Sequence, residues 1–307
     1  MRLILAYVLC ISLFAQTQAA VPVHAHPSGL RQQQPVRLAS PAALPPECTT
    51  RTHLDETPLD RAWVFIMNFR VAKTGCMLIY DKTPENKYLG YLSLTDACEV
   101  QGDVQFGFGK ALFRGGYIAC YLNVMQAVKA ISNTMPITEV AQIDGFYLLG
   151  RGVLSSTLRT PPLEHNLIFR YVPTDTNYSS LALRVSVTQT NPPQAQMNAF
   201  FNFNRHGLDN CIVPVNGSEQ LWAYTRHNGN LKFWVGGTEI CDTPKPRPRI
   251  QLWQDGAFIY IGGTPSGDRF FGVLDEIILD PPDGSQPPNE GESSGDAALV
   301  YLPIAQR

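Results

Sequence analysis

Short apolar runs bounded by Gly, Pro, Asn and Asp recur from Ala62 to Leu279, and most of them have a period of two. Leu231–Val235 (LKFWV) stops at Gly236-Gly237, Ala257–Ile261 is almost continuously apolar and stops at Gly262-Gly263, and Phe270–Leu279 follows with Asp275-Glu276 in its middle. Runs of this kind ending at glycine turns read as antiparallel strands with one buried face. Upstream, Ala62–Val71, Cys76–Tyr80, Tyr88–Leu94, Gly102–Phe108 and Gly116–Leu122 read the same way, with Val104, Phe106 and Phe108 on one face. Between them and the last three runs lie Gly145–Leu154, Leu167–Val172, Leu181–Val187, Phe200–Phe203 and Glu219–Thr225. Asn228-Gly229 is a hairpin signal, because both residues tolerate positive φ. One segment departs from the pattern: Asn123–Ser132 carries Val124, Val128 and Ile131 at helical spacing and is ended by Asn133 and Pro136. The expected fold class is all-β, an antiparallel two-sheet sandwich with one short helix.

In the last run, strand alternation places Val273, Asp275, Ile277 and Leu279 on one face and Leu274, Glu276 and Ile278 on the other. A carboxylate facing a core is costly unless hydrogen-bonded. Asp275 is therefore expected to accept backbone hydrogen bonds or to lie at the rim, and Glu276 to reach solvent. Adjacent strand residues point to opposite faces, so the pair does not read as the two acids of a glycoside hydrolase.

Composition adds the compartment. Arg2 precedes the apolar run Leu3–Ala15, and Ala19 and Ala20 follow as small residues, which reads as a secretory signal peptide over residues 1–20. No later segment has the roughly 18 apolar residues a spanning helix needs. Of seven cysteines, Cys10 leaves with the signal; Cys48, Cys76, Cys98, Cys120, Cys211 and Cys241 form an even set that reads as disulfides. Cys211 and Cys241 flank the Trp222–Trp234 hairpin and are expected to pair, leaving the other four to pair within Cys48–Cys120. Asn177 and Asn216 head glycosylation sequons. A net charge of −2 without long charge blocks argues against a nucleic-acid surface. Val21–Glu47 is a Pro- and Gln-rich flexible leader, and residues 283–307 form a low-complexity tail.

Gln220-Leu221-Trp222, LKFWVGG, FIYIGG and FFGVLDEIIL, in that order, resemble the C-terminal half of a laminin G-like or pentraxin-like domain. The likeness spans about 60 residues well and about 140, from Gln142 to Pro281, loosely; Gly236 stands where the family usually carries an acid. The resemblance implies a concanavalin A-like jelly-roll sandwich over residues 141–282. Before it, residues 48–140 read either as a smaller Cys-rich β module, the preferred division, or as the sandwich's own opening strands with insertions. The family often binds Ca²⁺ through loop carboxylates and carbonyls. Asp209, Asn210, Asp242 and Asp268 sit in predicted loops and are candidate ligands, although no motif assigns one by position.

Other chemistry is sparse. Gly291–Gly295 matches G-x-S-x-G but lies in the tail, with no strand before it to build a nucleophile elbow. Lys245, Arg247 and Arg249 place three cations on a stiff Pro-rich segment suited to an acidic glycan, and Trp222 and Trp253 are candidate sugar-stacking residues, with Trp63 and Trp234 read as core. The expected function is a secreted, non-enzymatic recognition or adhesion protein for a glycan or extracellular protein. The alternatives are a secreted hydrolase on the same fold and a structural matrix component.

Overall fold

The structure is a computed structural model and describes residues 44–50, 63–80, 88–122, 146–154, 165–174, 181–188, 194–201, 211–213, 220–227, 230–236, 238–244 and 256–280. The signal segment, most of the leader, the helical-period segment 123–132, the tail, and Asn177, Asp209, Asn210, Asn216, Lys245, Arg247, Arg249 and Trp253 lie outside the described residues. Among the described residues no helix is long and apolar enough to cross a membrane.

A single 3-10 turn, Pro46–Cys48, precedes the strands β1 (Trp63–Met67), β2 (Cys76–Tyr80), β3 (Tyr88–Ser93), β4 (Cys98–Gln101), β5 (Val104–Gly107), β6 (Lys110–Arg114) and β7 (Tyr117–Tyr121). Then come β8 (Phe146–Leu154), β9 (His165–Val172), β10 (Leu181–Thr188), β11 (Gln194–Phe201), β12 (Cys211–Val213), β13 (Gln220–His227), β14 (Asn230–Val235), β15 (Thr238–Pro244), β16 (Phe258–Ile261) and β17 (Phe271–Asp280). One sheet runs β15-β14-β13-β8-β17-β1-β2-β3, with β6 and then β5 also branching from β17; the other runs β12-β11-β10-β9-β16-β7-β4. Every strand pairing is antiparallel, as expected for an all-β sandwich.

The main core lies between the sheets. Phe65, Met67, Met77, Phe113, Trp222, Phe233, Ile277 and Leu279 from the ten-stranded sheet meet Ile118, Phe169, Tyr171, Leu181, Leu183, Ile259 and Ile261 from the seven-stranded one. Alternation then sends Val64, Ile66, Leu78 and Ile278 to the outer face of the ten-stranded sheet, where Leu44 and Cys48 cover them. The Cys48–Cys76 disulfide fixes that cover, and Cys98–Cys120 joins β4 to β7 where those residues pair in register. Both bridges fall within Cys48–Cys120, and β12 and β15, which carry Cys211 and Cys241, approach each other.

Both sheets contain strands from either side of residue 141, joined at one seam each: β17 pairs with β8 on one side and with β1 and β6 on the other, and β16 lies between β9 and β7. The expected division at 140/141 therefore falls inside one pair of sheets. The reason is that the closing strands β16 and β17 return to pair with the opening ones.

Two details of the expected strands differ. Gly102–Phe108 does not continue to Phe108, because Gly107 pairs with Lys110 and the chain reverses through Phe108-Gly109, both at positive φ (52° and 69°). Phe108 is thereby 88% exposed rather than on the face of Val104 and Phe106. In β17, Leu274 pairs with Gly152 and Glu276 with Arg151, so Asp275 is the extra residue of a β-bulge. The bulge resets the alternation: Leu274, Ile277 and Leu279 all face the main core. Glu276 is 2% exposed, not in solvent as the unbroken alternation predicts, and Asp275 is equally buried, with its carboxylate 3.8 Å from Lys110 Nζ.

Candidate functional site on the outer face of the seven-stranded sheet

The inward residues of β7 and β16 (Ile118, Cys120, Ile259 and Ile261) leave Tyr117, Tyr121, Phe258 and Tyr260 on the opposite face. These four rings form a continuous row. Tyr121 lies 5.3 Å from Phe258, Phe258 stacks on Tyr260 at 5.7 Å with planes 11° apart, and Tyr260 meets Tyr117 edge-on at 6.2 Å. Phe258 and Tyr260 are the buried floor, and Tyr117 and Tyr121 are half-buried beside them. Cross-strand aromatic pairs of this geometry stabilise the sheet by about 0.5–1.5 kcal/mol each beyond their buried area.

Guanidinium groups flank the row. Arg170 of β9 stands in register with Tyr260, and Arg269 lies over the Tyr117 ring at 5.2 Å. Arg184 Nη1, from β10, donates to Asp268 Oδ1 at 3.2 Å. Burial draws the Arg170 guanidinium below its ordinary value, and the Asp268 carboxylate and Tyr260 oppose the shift. Burial also raises the Tyr260 phenol, Tyr117 adds to the rise, and Arg170 opposes it. Tyr260 therefore keeps its O–H proton at neutral pH.

Asp268 and Arg269 reach this face on the turn between β16 and β17. Thr264 N–H donates to Asp268 O at 2.9 Å, Phe270 N–H donates to Gly262 O at 2.7 Å, and the Arg269 guanidinium donates to the carbonyls of Thr264 and Asp268. Gly262 starts this turn at φ +74°, with the Phe113 ring only 2.2 Å from where a Cβ would stand, so no other residue fits.

The sequence-derived site residues are placed differently. Trp222, a candidate for sugar stacking, is fully buried in the main core, in register with Gly150 of β8. Its Nε1–H has no hydrogen-bond partner among the described residues. Trp234 is partly buried against the outer cluster, with Lys232 Nζ 5.7 Å above its ring. Asp242 lies in strand β15 rather than in a loop, and Asp268, the one calcium candidate described in a loop, is paired with Arg184. Among the described residues no group of three ligating side chains gathers as a metal site would. Sequence reasoning missed Tyr117, Tyr121, Arg170, Arg184, Phe258, Tyr260 and Arg269. The available signal was the Y-x-x-x-Y spacing of β7, which puts two tyrosines on one face.

No protein-family model matches the sequence, and neither does any curated protein. Solved structures with a loosely similar arrangement include domain 4 of AbnA, a GH43 extracellular arabinanase from Geobacillus stearothermophilus, at 12% identity and a TM-score of 0.37, covering 60% of this chain and 82% of that one. Trypanosoma rangeli sialidase matches at 10% identity and a TM-score of 0.42, over 72% of this chain and 31% of its own. A SAP-like pentraxin from Limulus polyphemus matches at 11% identity and a TM-score of 0.33, over 45% and 64%.

Proposed function

We propose that the chain is a secreted, non-enzymatic glycan-recognition protein of the concanavalin A-like sandwich class, binding on the outer face of the seven-stranded sheet. The observation that carries this reading is the row Tyr121–Phe258–Tyr260–Tyr117 with Arg170, Arg184 and Arg269 beside it and Asp268 among them. A sugar ring offers an apolar C–H face for an aromatic side chain and vicinal oxygens for a guanidinium fork or a carboxylate. Among the described residues this face gathers three guanidiniums and the Asp268 carboxylate, a balance that suits ligands carrying carboxylate or sulfate groups. Export is supported by the signal-peptide pattern and by two disulfides, which persist in oxidising compartments.

A glycan array probed with the mature protein, with and without Ca²⁺, tests the reading together with a polysaccharide-cleavage screen. Binding of acidic glycans without turnover is expected. Cleavage of any glycan, or an array with no bound glycan, would overturn it.

A further inference from the structure

The ten-stranded sheet forks at Asp275-Glu276. Along one side of β17, residues 277–279 pair with β1 and residues 271–274 pair with β6. β1 ends and β6 begins at this point, so the β1–β2 loop and the tip of the β5–β6 hairpin leave the sheet together. Phe69 in the loop packs on Phe106 (6.4 Å) and Phe113 (6.3 Å) of the hairpin, which locks the two side by side.

Three features coincide on this pair of loops. The non-glycine residues at positive φ among the described residues are Phe69, Ala72 and Phe108, all of them here. The exposed large apolar residues among the described residues are Val71 at 37% and Phe108 at 88%, again both here. The segments Asn68–Gly75 and Val104–Arg114 contain no acid; Arg70 and Lys73 lie on the loop itself, while Lys110 faces the Asp275 carboxylate. Asn or Gly at position 108 would relieve the left-handed backbone and remove the exposed ring. A bulky aromatic in that conformation is strain of the kind that gathers at functional loops.

The loop is also rigidly held. Asn68 Nδ2 donates to the carbonyls of Pro46 and Thr49, both at 2.7 Å, and Arg70 N–H donates to Asn68 Oδ1 at 3.0 Å. The Cys48–Cys76 bridge ties down the same strap. A single ring on the tip of a two-residue turn is a convex feature. A peptide segment needs a groove to lie in, whereas the boundary between headgroups and acyl chains accepts a protruding ring with cations beside it.

We propose that the β5–β6 hairpin tip and the β1–β2 loop form a docking site for an anionic phospholipid bilayer, with Phe108 and Val71 entering the interface and Arg70 and Lys73 meeting headgroup phosphates and carboxylates. The site is separate from the aromatic face of the other sheet and does not depend on glycan binding.

The test is cosedimentation of the full mature protein with phosphatidylserine/phosphatidylcholine vesicles and with phosphatidylcholine vesicles, for wild type, Phe108→Asn and Arg70→Gln/Lys73→Gln. Wild type is expected to bind the anionic vesicles, and raising the salt to about 0.5 M should weaken binding. Phe108→Asn should lower partitioning about tenfold or more, while its melting temperature stays level or rises by about 2–4 °C as the turn strain is released. The double cation variant should lose about 30-fold. The proposal is overturned if wild type binds anionic vesicles no better than neutral ones, or if folded Phe108→Asn binds them like wild type.

Discussion

Replacing Gly152 with alanine probes the β-bulge that organises the centre of the larger sheet. Gly152 sits in β8 opposite Leu274, and an added Cβ would stand 2.1 Å from the carbonyl oxygen of Val273 and 3.1 Å from Leu274 Cα. Ordinary contact begins near 3.4 Å, so β8 and β17 must part by about 1.3 Å (3.4 − 2.1) at this point. Leu274 Cδ2, also at 3.1 Å, can move with its rotamer, but the Val273 oxygen and Leu274 Cα are backbone and no rotamer change relieves them. Parting two central strands weakens the flanking ladder hydrogen bonds, at about 1 kcal/mol each, and adds an overpacking cost of about 1–3 kcal/mol. Gly152→Ala should therefore lose about 3 kcal/mol and about 6–12 °C of melting temperature. Gly107→Ala is the control, since nothing lies within 4 Å of a Cβ there. The assay is thermal unfolding followed by circular dichroism. A Gly152→Ala protein melting with wild type would refute the register of β8 on β17.

Other outcomes follow from the same coordinates. Peptide mapping should recover Cys48–Cys76 and Cys98–Cys120, with Cys211 bridged to Cys241; losing Cys98–Cys120, which spans 22 residues, should cost about 3 kcal/mol in urea unfolding. Asp275→Ala and Glu276→Ala should each destabilise by about 1–3 kcal/mol, since both side chains are buried; a Glu276→Ala protein as stable as wild type would contradict the bulge. The Tyr260 phenol is raised, so the folded state holds its proton more tightly than the unfolded chain does. Its contribution is present below about pH 10 and is lost as pH climbs from there through the raised value. Ultraviolet titration should show a late-ionising tyrosinate that disappears in Tyr260→Phe.

The strands were largely legible because short apolar runs end at turn residues: LKFWV places a lysine between apolar neighbours, while the β1 segment WVFIM is a continuous apolar run because both of its faces are buried. The turn at Phe108-Gly109 was not, because FGFGKALF continues an alternating pattern and a phenylalanine is not a residue that turn chemistry suggests. The bulge at Asp275 was hidden for a related reason: an extra residue is defined by its partner strand, and LDEII carries no mark of Arg151 and Gly152 opposite. Trp222 was not legible as core because an indole suits both a core and a sugar-binding surface, and its full burial rests on the packing of the two sheets. The aromatic face depends on the order β9-β16-β7, which joins residues about 50 to 140 positions apart. Within its own strand, Tyr260 merely completes the apolar run AFIYI.

On the proposed function, the outer face of the seven-stranded sheet holds the ligand. Calorimetric titration of the strongest array glycan into wild type, Tyr117→Ala and Arg269→Ala tests it most directly. Tyr117 is half-buried at the edge of the row and Arg269 lies over its ring, so each can be truncated without opening the main core. The expected result is an affinity loss of about tenfold or more in each variant, from about 1–3 kcal/mol of stacking or charge-assisted hydrogen bonding, with Tyr117→Ala melting near wild type and Arg269→Ala about 4–8 °C lower, since two hydrogen bonds to turn carbonyls go with it. Wild-type affinity in both folded variants would place the ligand elsewhere and contradict the account.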